Sequence, residues 1–293
     1  MISYLQAIVF GILQGVTEMF PISSLGHSVL LPSVLGWKSL TTLQQQKSNS
    51  FLTFLVALHV ATALSLFWYY RRDWIRVIRG FIRSIKKRRI ATPSERLAWL
   101  LIVGTIPAGL VGLLFEHELR NLFAKPLTSA IFLTLNGAVL LAGEAYRRKR
   151  STDSWLALPT PGHQLRRDKP PFLNKHATGV GIAQILALFA GFSRSGVTMV
   201  AGLVEGLDHE DAARYSFMLA TPIIFAAGVL KLPHLFSHSM SNLHGQILVG
   251  VIATAISTLL SVHFLVKWFK TRTLTPFALY CIAAGVALTI RFA

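Results

Sequence analysis

Hydrophobic positions in this chain come in long runs rather than in alternation or in short helical stripes. Six stretches contain no Asp, Glu, Lys or Arg: Phe51–Tyr70, Leu97–Phe115, Leu127–Gly143, Tyr215–Leu230, Gln246–Val266 and Leu274–Ile290. Each reaches or approaches the ~20 residues that a helix needs to cross the ~30 Å hydrocarbon layer of a bilayer. The pattern predicts six membrane-spanning helices. Two more apolar stretches, residues 4–35 and 177–205, are broken near the middle by a small polar turn.

The two broken stretches are copies of one another. GILQGVTEMFPISSLG (Gly11–Gly26) and GIAQILALFAGFSRSG (Gly181–Gly196) match at one constant offset, pairing Gly11 with Gly181, Ile12 with Ile182, Gln14 with Gln184, Ser23 with Ser193 and Gly26 with Gly196. Broken apolar segments at corresponding places in two halves point to a site at mid-membrane depth.

Charge then orients the chain. Ten of the 29 Lys and Arg lie in Arg71–Arg96, eight in Arg147–His176 and three in Lys267–Arg272, whereas the alternate loops are sparse in them. By the positive-inside rule the three basic loops are cytoplasmic. The broken segments must then each enter and leave on one side, the first from outside and the second from inside. A single N-terminal crossing is the other solution for the first. The expected architecture is all-α: an inverted repeat of residues 1–146 and 177–293, each half with one re-entrant helical hairpin and three transmembrane helices. A proline-bearing cytoplasmic linker, 147–176, joins them. The stretch from Trp74 to Ile85, with arginines interleaved at helical spacing, predicts an amphipathic helix on the cytoplasmic surface.

Composition agrees: 53% of the 293 residues are hydrophobic, 14% are charged, and mean hydropathy is +0.53. The net charge of +17 does not indicate nucleic-acid binding, because the basic residues are confined to loops that orient the chain and meet anionic lipid. The N-terminus has no basic region before its apolar stretch, so no cleavable signal is expected. The single cysteine, Cys281, can form no internal disulfide.

Irregular backbone at membrane depth is tolerated only where protein buries it or a wet cavity adjoins it. If the two turns meet, they bring together Gln14, Glu18, Ser23, Ser24 and His27 with Ser193, Arg194 and Ser195. Arg194 offers a planar fork of donors for phosphate oxygens. Gly26 and Gly196 allow a ligand close to the backbone, and the helix after each turn aims its N-terminal amides at an anion. Gln14 and Glu18, four apart on one helix face, supply oxygen ligands for a divalent cation, Mg2+ or Ca2+. Ser24 and His27 combine a hydroxyl with an imidazole. The set suits phosphoryl transfer on a membrane-borne substrate. Bland readings exist for each residue alone. The serines can be helix-packing groups, Arg194 and Glu18 a structural ion pair, and His27 an interfacial histidine. His59 reads as a helix-packing hydrogen bonder, Glu144 and Arg291 as groups at span ends, Asp208, Glu210 and Asp211 as a solvated helix start, and Ser216 as an inward group.

The segments 11–27 and 191–196, together with RYSFMLATP at 214–222, resemble the signature stretches of the undecaprenyl-diphosphatase family, the bacitracin-resistance membrane phosphatases. The resemblance runs along nearly the whole chain. It implies hydrolysis of a polyprenyl diphosphate to the monophosphate at the outer face of a bacterial plasma membrane, recycling the lipid carrier for cell-wall synthesis, with a divalent cation required. By position it makes Gln14 and Glu18 metal- or water-handling groups, Ser24 the nucleophile or a phosphate binder, and His27 the general acid/base or the nucleophile itself. Ser193, Arg194 and Ser195 would bind the diphosphate. Leu25 stands where the family commonly has Thr, Met19 where an aromatic is usual, and Gln14 leaves Glu18 as the motif's one carboxylate. The competing class is a polyprenyl-phosphate carrier that does not hydrolyse its cargo. A carrier has no need of an acid/base pair beside a hydroxyl. A homodimer is compatible with this reading and not required by it.

Overall fold

The computed structural model describes residues 2–45, 49–115, 125–150, 156, 158, 172–231 and 242–293. Among them are twelve α-helices and no strand beyond one isolated bridge, Ala190 to Phe192. The helices are α1 (Tyr4–Thr17), α2 (Ser24–Leu35), α3 (Lys38–Gln45), α4 (Asn49–Tyr69), α5 (Arg71–Lys87), α6 (Pro93–Leu114), α7 (Pro126–Arg150), α8 (Asn174–Ala183), α9 (Arg194–Glu205), α10 (His209–Lys231), α11 (His244–Trp268) and α12 (Thr275–Phe292). A 3-10 turn, Gln184–Leu188, continues from α8.

The six expected spans are α4, α6, α7, α10, α11 and α12, the helices long and apolar enough to cross a membrane. Their ends follow ordinary capping chemistry. Thr92 and Glu95 form a capping box ahead of Pro93, as Ser3 and Gln6 do at the start of α1, satisfying amide donors that a helix start leaves free. α1 lies along α11 because Gly11 and Gly15 present no side chain to it. A Cβ on Gly11 would come within 2.8 Å of Ala253 Cβ, and one on Gly15 within 2.7 Å of the Thr254 carbonyl oxygen. Small residues at such contacts let backbones close up where lipid offers no hydrophobic drive to associate.

α5 has two apolar faces rather than one. Trp74 and Val77 are buried, with Gly80 set against the start of α6, while Ile75, Ile78, Ile82 and Ile85 are exposed between arginines. The inner face holds the helix to the protein and the outer face suits a membrane surface.

Two polar groups depart from the sequence expectation. Glu144 does not reach out of a span end. It is buried, accepts from Leu274 N at 2.7 Å and meets His209 Nε2 at 2.6 Å, and Arg147 Nη1 donates to His209 Nδ1 at 2.8 Å. Asp211 is also buried and accepts from Leu158 N at 3.1 Å. Glu144 ties the starts of α12 and α10 to α7, and Asp211 holds the backbone at Leu158 to the start of α10, because a buried charge is retained only with partners. Arg291 behaves as expected, reaching the Val34 carbonyl at 3.3 Å. Most of the expected linker, with Pro159, Pro161, Pro170 and Pro171, lies outside the described residues. The helices claim its ends, to Arg150 and from Asn174.

Candidate active site

The two turns meet. Residues 18–23 join α1 to α2, and residues 189–193 join the 3-10 turn to α9. Ser23 Oγ accepts from Gly26 N at 3.1 Å, capping α2, and from Gly191 N at 3.2 Å in the other turn. Ser193 Oγ caps α9 by accepting from Gly196 N at 3.1 Å. Ser195 Oγ, 3.0 Å from Ser193 Oγ, donates across to the Phe20 carbonyl at 3.3 Å. Asn136 of α7 is fully buried and fastens the pair. Its Nδ2 donates to the Pro21 carbonyl at 3.0 Å and its Oδ1 accepts from Ser193 N at 2.9 Å. Gly26 has no side chain because none fits: a Cβ there would lie 2.9 Å from Gly191 Cα. Ser23 holds φ at 72° and Gly191 at 118°, and such left-handed backbone in a non-glycine residue collects at sites whose surroundings impose it.

Beside this junction is a cavity of about 200 Å3. Its polar lining is Thr17, Glu18, Ser23, Ser24, His59, Gln184, Ser193 and Arg194, and an apolar side is built by Val56, Ala108, Leu188, Ile223 and Ile224. Glu18 is the hub. Oε1 accepts from Arg194 Nη2 at 2.8 Å. Oε2 accepts from Ser24 Oγ and from Gln14 Nε2, the latter at 3.3 Å. His59 Nε2 stands 3.5 Å from Oε2. Arg194 also donates from Nη1 to the Ser216 carbonyl at 3.3 Å. Ser216 is the inward group the sequence suggested, with its Oγ 2.7 Å from Thr198 Oγ1.

Of the residues expected at the site, Glu18, Ser23, Ser24, Ser193 and Arg194 line the cavity. Gln14 lies behind Glu18, and Gly26, Ser195 and Gly196 form the contact between turns. His27 faces elsewhere. Its Nδ1 lies 2.7 Å from the Ser23 carbonyl and its Nε2 2.8 Å from the Tyr280 hydroxyl, with the two rings stacked at 5.8 Å. A carbonyl only accepts, so Nδ1 donates to it, and in the neutral ring Nε2 accepts from Tyr280. The imidazole that meets the carboxylate is His59, read from the sequence as a packing group. Its Nδ1 is likewise held by its own helix, at the Leu55 carbonyl, 2.8 Å away, which turns Nε2 toward Glu18. An ionisable residue in mid-span was the signal for it. Asn136 carried only the weaker signal of an amide in an apolar run.

The donor set offers limited support for a metal. Among the described residues no three His, Cys, Asp or Glu side chains cluster to hold one, and Glu18 is already paired with a guanidinium. Gln14 Oε1, however, is buried without a partner, so one carboxylate and one amide oxygen are at hand.

Relatives of the chain are found along its whole length. The family described as bacitracin resistance protein BacA matches residues 7–287. The chain is 46% identical to undecaprenyl-diphosphatase 2 of Frankia alni, with 100% of this chain and 98% of the relative covered. It is 48% identical to the undecaprenyl-diphosphatase of Mycolicibacterium paratuberculosis, with 98% and 96% covered. It is 46% identical to undecaprenyl-diphosphatase 2 of Burkholderia ambifaria, with 94% and 92% covered.

Proposed function

The chain belongs to the bacitracin resistance protein BacA family, and on that premise we propose how its cavity hydrolyses undecaprenyl diphosphate to the monophosphate and inorganic phosphate. The reading is carried by one observation: Ser24 Oγ and Arg194 Nη2 hold the two oxygens of the same buried carboxylate, Glu18, inside one cavity. A buried ion pair by itself gives little stability. Here it keeps a phosphate-binding fork beside a hydroxyl and its proton acceptor.

Arg194 binds the terminal phosphate, its five donors serving carboxylate and phosphate together. Ser24 Oγ attacks the terminal phosphorus while its proton passes to Glu18 Oε2. The bond from phosphorus to the bridging oxygen breaks, and undecaprenyl monophosphate leaves with the electron pair. Water then attacks the phosphoserine, releasing inorganic phosphate and restoring Ser24. His59, directed at the same carboxylate, is the acid/base partner for the departing oxygen or the entering water. His27 is a positioning residue that holds the Ser23 carbonyl and so the turn carrying Ser24. The apolar side of the cavity receives the first units of the prenyl chain. Were a divalent cation, Mg2+ or Ca2+, to bind here, Glu18 and the unpartnered Gln14 Oε1 would be the oxygens to hold it, and it would supply charge neutralisation on the phosphates.

The halves read as an inverted repeat with two re-entrant hairpins. The hairpin arms α1, α2, α8 and α9 have 14, 12, 10 and 12 residues, about 15–21 Å of helix each, short of a full crossing. Neighbours correspond between halves: α1 packs on α11 as α8 packs on α6, and α4 packs on α11 as α10 packs on α6. Loop charge directs the catalytic cavity to the outer face of the plasma membrane.

The test is phosphate release from undecaprenyl diphosphate by detergent-purified protein, with and without a chelator. Release that the chelator blocks is expected. No release from folded protein under any metal would overturn the phosphatase reading in favour of a carrier.

A further inference from the structure

We infer that Gln184 is a diphosphate-binding residue of this cavity, its amide kept free for a phosphate oxygen. The inference rests on the phosphatase reading above. Gln184 is 1% exposed, yet neither its Nε2 nor its Oε1 has a hydrogen-bond partner. Its side chain lines the same cavity as Glu18, Ser24 and Arg194. Leaving buried donors and acceptors unpaired is costly, so a full amide left unpaired inside a membrane protein calls for a partner that arrives later.

Its counterpart shows what is missing. Gln14 occupies the same place in the first copy and donates to Glu18 at 3.3 Å. In the second copy the residue four further on is Leu188, so Gln184 has no carboxylate of its own to hold. The backbone differs as well. α1 runs through Gln14 as regular α-helix, whereas α8 ends at Ala183 and the chain tightens to 3-10 from Gln184. An anion drawn in by Arg194 is the partner the cavity provides for. Phosphate oxygens accept, so Nε2 donates to them, and Oε1 accepts from a phosphate hydroxyl or a water.

Purified Gln184→Leu, Gln184→Asn and Gln184→Glu are compared with the unaltered protein in steady-state turnover of undecaprenyl diphosphate. Gln184→Leu should raise KM about tenfold, the worth of one hydrogen bond to a charged group, with kcat within threefold. Gln184→Glu, which sets a carboxylate against the phosphate, should be worse. Gln184→Leu should also unfold no earlier than the unaltered protein on heating, because an apolar side chain removes the orphaned amide. A purely structural glutamine would do the opposite. Inorganic pyrophosphate gives a readout that needs no turnover: at one concentration it should raise the unfolding temperature of the unaltered protein by more than that of Gln184→Leu. An unchanged KM in both Gln184→Leu and Gln184→Glu, or a fall in kcat alone, overturns the inference. Should Gln184→Leu not fold, Gln184→Asn, with its shortened reach, decides by the same KM criterion. Absence of hydrolysis by the unaltered protein would instead sink the phosphatase reading, and the pyrophosphate shift would still test Gln184.

Discussion

The turn at 18–23 and the turn at 189–193 are built alike and equipped differently. In each a serine caps the following helix through the amide of a glycine three residues on, at 3.1 Å in both. Each of those glycines sits against the break of the opposite turn, Gly26 on Gly191 and Gly196 beside Pro21. At the position after the capping serine the copies part. The first turn has Ser24, bonded to Glu18, and the second has Arg194, bonded to the same Glu18 from the other side. On the proposed reading, two like-built turns thus set a nucleophile and an anion fork face to face, and neither turn holds a complete site.

Exchanging the chemistry at that position should break the arrangement most severely. Ser24→Ala is expected to lower kcat by about a thousandfold or more, since it removes the attacking group, in protein that keeps its unfolding temperature. Residual phosphate release above a few per cent would show that another group attacks. Arg194→Lys should lose about a hundredfold, because a point charge replaces a fork that serves carboxylate and phosphate together. Turnover close to that of the unaltered protein would reduce Arg194 to a structural partner of Glu18.

The two imidazoles sharpen the comparison. His27→Ala should cost tens of fold by releasing the Ser23 carbonyl, and His27→Asn, whose amide can donate to that carbonyl, should recover part of the loss. Equal loss in both variants would restore His27 to the chemistry itself. The scaffold is tested by the glycines and by Asn136. A Cβ on Gly26 would lie 2.9 Å from Gly191 Cα, whereas on Gly196 the nearest atom would be Leu140 Cδ2 at 3.1 Å, a side-chain end able to yield. Gly26→Ala should therefore destabilise by about 1–3 kcal/mol and Gly196→Ala by less, read from thermal unfolding. Asn136→Leu should cost about 1–3 kcal/mol for the turn groups it leaves unpaired. An unfolding temperature unmoved by Asn136→Leu would show that the two turns hold together without it.

Much of this was legible before folding. The six spans follow from hydropathy alone, and the two broken segments from their internal match. Glu18, Ser24 and Arg194 were named because ionisable and hydroxyl groups stood in apolar surroundings beside breaks. What failed was orientation. His27 and His59 both stand in apolar stretches, and nearness in sequence to Ser24 favoured the first. Glu144 passed for a span-end residue because its partners, His209 and Leu274, come from helices far along the chain.

The sequence by itself determined the six apolar spans, the correspondence of the two turns and the kinds of group they carry, because chain length in lipid and local spacing fix these. Only the tertiary structure decided which imidazole faces Glu18, that Asn136 ties the turns together, and that Gln184 is left without a partner. In a soluble helix the contrast between polar and apolar faces reveals which side turns inward. In these helices lipid and protein interior are both apolar, the contrast is lost, and facing is set by contacts between helices that lie hundreds of residues apart, as α1 and α11 do.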